Sequence, residues 1–136
     1  MEHIRFAERL VMAGFRYAYG ISTADITGNG TLDLVAADTD AGLYWFEDDG
    51  KGNFSQRTGE RLKRHAIADI NNDGRPEIVI VDNINRSLLW FEYSSDLRVR
   101  QSWKYHYITE GGLPGAYDVA IANFDGDGNL DVAISS

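Results

Sequence analysis

The sequence predicts an all-β fold built from repeated four-stranded antiparallel units, and three observations lead there. A twelve-residue segment recurs three times without gaps. Runs rich in Val, Ile, Trp, Tyr and Phe, which suit a pleated and half-buried surface, alternate with clusters of Gly, Asn and Asp, which suit turns. A second motif also returns: Leu43-Tyr44-Trp45-Phe46-Glu47 is matched by Leu88-Leu89-Trp90-Phe91-Glu92, each following a copy of the first segment.

The recurring segment occupies 24–35, 68–79 and 122–133. From Asp25 to Asp69 is 44 residues and from Asp69 to Asn123 is 54, so insertions separate otherwise similar units. First strands are expected at 18–25, 64–69 and 117–123. Second strands follow each acidic loop at 32–38, 77–82 and 130–135. Third strands fall at 42–48 and 87–93, and fourth strands at 54–58 and 98–108. Residues 4–12 read as a leading copy of the fourth strand, because 6–12 resembles 103–109. Asp48 to Asn53 reads as a hairpin turn, and no helix is expected. Ile78-Val79-Ile80-Val81 is apolar on both faces, as a strand sandwiched between neighbouring sheets would be.

Four-stranded units at a period of about 40–50 residues predict β-propeller blades, with a small sandwich carrying Asp-Gly turns as the alternative. The chain divides into a trailing strand of a blade at 1–16, a blade at 17–60, a blade at 61–110 and the first two strands of a blade at 111–136, all within a single repeat domain, 1–136. That is a partial propeller of two full blades plus partial blades, whereas propellers close with about four to eight. Completion by a homo-oligomer is expected, with a dimer of about six blades favoured. The alternative is that the chain is part of a longer propeller.

Composition narrows the partners. Hydrophobic residues make up 43% of 136, enough for a core, and the net charge of −8 argues against nucleic acid and anionic membranes, which need clustered cations. Residues 1–20 contain no apolar stretch suited to a signal peptide or membrane span, so no membrane insertion is expected. There is no cysteine, which removes disulfides, thiolate metal sites and cysteine nucleophiles.

Much of the acid sits in the three repeated loops. Numbered from Asp25, Asp69 and Asn123, positions one, three and five carry oxygen side chains, position six is Gly, and position nine is Asp or Glu. Calcium takes six to eight oxygen ligands, and alternate residues of a turn can aim such ligands inward while the Gly allows the sharp bend. The candidate metal ligands of loop one are Asp25, Thr27, Asn29 and Asp33, with the Thr31 carbonyl. Those of loop two are Asp69, Asn71, Asp73 and Glu77, with the Arg75 carbonyl. Those of loop three are Asn123, Asp125, Asp127 and Asp131, with the Asn129 carbonyl. Loops two and three supply three carboxylates each and loop one two, so two Ca2+ sites and a weaker third are expected. The competing reading is a set of Asx-turns held by side-chain-to-backbone hydrogen bonds with no metal.

At these residues the chain resembles the FG-GAP/VCBS repeat family, the calcium-binding repeats of integrin-alpha-like β-propellers. Asp125-Gly126-Asp127-Gly128 followed by Leu130-Asp131-Val132, the Trp-Phe-Glu strands and the turn at 49–54 carry the resemblance, which runs over nearly the whole chain. Thr27 and Asn29 stand where that pattern has carboxylates, as do Asn123 for Asp and Glu77 for Asp. The resemblance implies a scaffold stiffened by calcium, with members serving adhesion, lectin-like sugar binding or as appendages of polysaccharide-active enzymes. The expected function is a calcium-stabilised binding or assembly module for a glycan or protein. The alternatives are an accessory part of a polysaccharide-active enzyme and a purely structural self-assembling unit. Calcium sites of the extracellular kind, with affinities of about 10⁻⁴–10⁻³ M, favour an extracellular setting, the lack of a signal-peptide stretch points the other way, and the compartment stays open.

No catalytic constellation stands out. His3, His65 and His106 show no zinc spacing or triad order, and no enzyme activity is expected. Tyr44, Trp45, Trp90, Phe91, Trp103, Tyr105 and Tyr107 are candidate sugar-stacking rings, with packing between blades the preferred reading for Trp45 and Trp90.

Overall fold

The computed structural model describes residues 4–38, 42–58, 64–94, 96–99 and 102–136, with backbone only at Tyr19 and Thr58; His3 lies outside them. Among the described residues ten strands form: β1 (Ala18–Ala24), β2 (Asp33–Asp38), β3 (Gly42–Asp48), β4 (Phe54–Thr58), β5 (Arg64–Ala68), β6 (Glu77–Asp82), β7 (Ser87–Tyr93), β8 (Trp103–Thr109), β9 (Asp118–Ala122) and β10 (Asp131–Ser135). They make two four-stranded antiparallel meanders, β1-β2-β3-β4 and β5-β6-β7-β8, and a two-stranded sheet of β9 and β10. The protein is all-β, and its open sheets are those of a partial propeller. Among the described residues no helix is long and apolar enough to cross a membrane.

The strand period of two explains how the sheets stack. In β6, Ile78 and Ile80 pack with Val35, Ala37, Leu43 and Trp45 of the first sheet. The alternate residues Val79 and Val81 pack with Leu88, Ala116, Val119, Ile121, Val132 and Ile134 toward the third. A strand in the middle of the stack must therefore be apolar on both faces, which is why 78–81 lacks the usual polar alternation. Each fully buried Val or Ile contributes about 1.5–3 kcal/mol. The first strands adjoin one another, with β5 beside both β1 and β9.

The repeated Trp-Phe-Glu strand follows the same rule. Val35 pairs with Trp45 and Val79 with Trp90, so each Trp faces the next sheet. Trp45 is 3% exposed in the first core, and Trp90 packs in the second, stacked on His106 at 4.5 Å. Both are inter-sheet packing residues. Tyr105 and Tyr107 on β8 remain exposed, their rings 5.6 Å apart edge to face.

Two expected strand regions differ. Residues 4–12 do not form a strand. Residues 4–10 are exposed, Phe6 at 93%, and no sheet edge pairs with them. The segment is instead tied down further along: Phe15 meets the Tyr44 ring edge to face at 5.6 Å, and the amides of Arg16 and Tyr17 donate to the Asp38 carboxylate. Strand β8 begins at Trp103, not 98, because Asp96 accepts from the Arg98 and Val99 amides and closes a turn, which the Trp103 indole caps on the Leu97 carbonyl.

Candidate functional site

The three acidic loops join β1 to β2, β5 to β6 and β9 to β10, and position nine of each is the first residue of the following strand. The position-six glycines Gly30, Gly74 and Gly128 have φ of 85°, 87° and 95°, where L side chains are strained. No heavy atom lies within 4 Å of a Cβ built at any of them, so backbone conformation, and not space, selects glycine.

One hydrogen-bond plan runs through all three loops. Position five accepts from the amide of position seven: Thr31 to Asn29 Oδ1 at 2.8 Å, Arg75 to Asp73 Oδ1 at 2.9 Å, and Asn129 to Asp127 Oδ1 at 2.7 Å. Position nine accepts from the amide of position two: Ile26 to Asp33 at 3.1 Å, Ile70 to Glu77 at 3.0 Å and Phe124 to Asp131 at 2.9 Å. Position one gathers the amides of the turn itself. Asp25 accepts from Asn29 and Gly30, Asp69 from Asp73 and Gly74, and Asn123 from Gly126. Position three accepts from position five in the later loops, Asn71 from Asp73 and Asp125 from Asp127. These are nested Asx-turns. Among the described residues no group of three or more His, Asp or Glu side chains is gathered as a metal cluster.

The donor chemistry of the loops would suit a hard cation. The side chains at positions one, three, five and nine are all oxygen donors, and a carboxylate that accepts an amide N–H through one oxygen keeps further lone pairs for another partner. Thr27 Oγ1, at position three of loop one, is buried with no hydrogen-bond partner among the described residues. In loop two, burial pushes the Glu77 carboxyl above its ordinary pKa, and the neighbouring Asp73 and Asp69 add to the push against the Ile70 and Asn71 amides. A cation would relieve that repulsion. In loop three, by contrast, hydrogen bonds from the backbone and side chain of Asn129 hold Asp127 below the usual carboxylate range.

Loop one is also stitched to the β3–β4 hairpin. The Asp48 amide donates to Asp33 Oδ1 at 2.9 Å, and the Asp48 carbonyl accepts from Thr31 Oγ1 and Asn29 Nδ2. Beside this stitch lies an open groove of about 350 Å³ lined by Asn29, Thr31, Glu47, Asp49, Ser55 and Arg57 among others. Glu47 carries a clamp that sequence reasoning missed. It accepts from Arg57 of its own sheet and from Arg98 in the turn between β7 and β8, and the Arg98 guanidinium, opposed by burial and helped by Arg57, holds its carboxyl below the usual range. Residues 47 and 98 are too far apart for any short spacing rule to join them. In the second sheet the corresponding Glu92 pairs with His106 at 2.8 Å.

Residues 69–134 match the family model of the FG-GAP-like repeat. Over that stretch the chain is similar to an FG-GAP-like repeat. The matched stretch runs from the first residue of loop two into β10, so it takes in the two loops with three carboxylates and leaves out loop one. No curated protein matches the chain. That match, spread over the second four-stranded sheet and the two-stranded one, suggests a β-propeller-like binding module.

Proposed function

We propose that the chain is a calcium-stiffened β-propeller binding module that recognises a glycan or protein and performs no catalysis itself. The observation that carries this reading is the pair of hydrogen bonds, at positions five and nine, shared by three loops of oxygen-bearing side chains, each joining the first and second strands of its sheet. Calcium held by Asp69, Asn71, Asp73 and Glu77, and by Asn123, Asp125, Asp127 and Asp131, would supply rigidity there. Asp25, Thr27, Asn29 and Asp33 would hold a third ion more weakly, having two carboxylates. The Thr31, Arg75 and Asn129 carbonyls complete the proposed shells. The outer edge of β10 has no paired strand among the described residues. Association through it, with a second copy or with further repeats, belongs to the proposal.

Thermal unfolding with light scattering, in calcium and then in chelator, tests the reading. With sites of about 10⁻⁴ M, 10 mM calcium stabilises the fold by about 2.7 kcal/mol for each site, magnesium does less, and chelator reverses the gain. An unchanged melting temperature at 10 mM calcium, with no binding heat, would leave the loops as Asx-turns alone.

A further inference from the structure

The repeat places the same position of the first strand at Ile21, His65 and Val119, each three residues before the alanine that opens its acidic segment. Two of the three are aliphatic. Val119 packs into the core between the second and third sheets, as an aliphatic residue should. His65 stands at the matching place between the first and second sheets. It pairs with Ile80 across β5 and β6, and its Cε1 lies 3.9 Å from where a Cβ on Gly20 of β1 would sit. Both ring nitrogens are buried, and among the described residues neither has a partner in good hydrogen-bond geometry, the Val35 backbone lying just near enough to act on the ring. A neutral imidazole tolerates such a site as a flat, mostly apolar ring. An imidazolium, with two N–H donors and a positive charge, does not.

The surroundings offer that charge little. The described side chains of β1 are Ala18, Gly20, Ile21, Ser22, Thr23 and Ala24, none of them charged. From β2 the nearby group is the Val35 backbone, and from β6 it is Ile80. Among the described residues the one carboxylate that acts on the ring is Asp118 of β9, which already lies 3.7 Å from the Arg64 guanidinium on the other side of β5. Burial accordingly dominates and lowers the His65 pKa to about 4, against the smaller opposite effects of the Val35 backbone and Asp118.

We propose that His65 is an acid-sensitive wedge between the first two sheets, whose protonation loosens the β1–β5 junction while the β5–β9 junction stays closed. The folded pKa lies below the unfolded value of 6.5, so the fold favours the neutral ring. The stability tied to that neutral ring is fully present above pH 6.5 and is lost as pH falls from there toward about 4. The device is independent of any metal in the loops.

The full chain, compared with His65→Val, tests it by urea unfolding from pH 7.5 to 4.5 at fixed calcium. Acid titration of carboxylates, Glu77 included, is common to both proteins and cancels. The wild-type folding equilibrium should fall relative to the variant by roughly 10²-fold at pH 4.5. Equal acid sensitivity in the two proteins overturns the proposal. A second readout does not depend on the variant folding: the His65 Cε1 proton, followed by NMR in the wild type, should titrate well below pH 6. A midpoint near 6.5 overturns it. Junction selectivity is read from fluorescence of Trp45, buried in the first core, against Trp90, packed in the second. Acid should shift Trp45 to the red before Trp90, and simultaneous shifts overturn the selective opening.

Discussion

Loops one and three are copies of one motif, yet the protein uses them differently. Position two is Ile26 in loop one, 0% exposed, and Phe124 in loop three, 58% exposed. Position nine is Asp33 in loop one, fully buried and accepting from the Ile26, Thr27 and Asp48 amides. In loop three it is Asp131, half-buried and accepting from the Phe124 amide. The difference comes from the neighbours packed around each loop. Loop one is roofed by Tyr93 and Leu97 of a complete second sheet and braced by the hairpin of its own. Loop three belongs to a sheet described through two strands. The same sequence motif is therefore a buried brace where neighbours close over it and an open set of oxygens where they do not. Carboxylate number alone ranks loop one as the weakest metal site; its burial makes it the more important of these two to the fold.

The largest test of that contrast replaces position two. Ile26→Ala removes a side chain wholly enclosed by the first core and should cost about 4 kcal/mol, transfer and cavity together. Phe124→Ala, at an exposed ring, should stay within about 1 kcal/mol. Urea unfolding of the two variants reads the difference directly. Similar losses at both positions would mean that loop three is covered in solution by something that buries Phe124, such as a second copy or further repeats.

Position nine gives the next effect. Asp33→Ala orphans three amides, one of them the buried Ile26 N–H, and should cost about 3 kcal/mol even in chelator. Asp131→Ala orphans one amide in a loop open to solvent and should cost about 1 kcal/mol in chelator. Measured again in calcium, the Asp131 variant should lose the calcium-dependent part of its stability as well. A loss at Asp131 that is large without calcium would erase the distinction between brace and ligand.

Local signals carried much of the fold. The twelve-residue repeat placed β1, β5 and β9, and the second strands, to within about two residues, as expected where periodicity and turn chemistry agree. The two-faced apolar run at 78–81 announced a sandwiched strand, and the Trp-Phe-Glu copies announced equivalent inter-sheet positions. Residues 4–12 failed for a physical reason: likeness to 103–109 supplies strand propensity but no partner edge, and a strand without a partner leaves its amides unpaired. At the site, the oxygen pattern of the loops was legible, but its engagement with backbone amides was not, because the same Asp spacing serves an Asx-turn and a ligand shell. The clamp of Glu47 by Arg57 and Arg98, and the stitch from Asp33 to Asp48, join residues distant in sequence and could not be read from spacing.

The smallest effect isolates the roof over loop one. Tyr93 is 8% exposed, and its hydroxyl donates to the Ile26 carbonyl at 3.0 Å, a bond from the second sheet into the first loop. Arg75 of loop two lies over the same ring at 5.8 Å. Tyr93→Phe keeps the ring, its packing on Trp103 and the contact with Arg75, and removes the donor alone. The expected loss is about 1 kcal/mol, the ordinary net worth of one hydrogen bond whose acceptor then stays buried. The position of the loss matters more than its size. If the bond fastens loop one beneath the second sheet, Tyr93→Phe should speed amide hydrogen exchange at Ile26 and Thr27 and leave Phe124 and Asp125 unchanged. Faster exchange in both loops alike would mean that the sheets loosen as one body, and that loop one owes its burial to the stack as a whole and not to this roof.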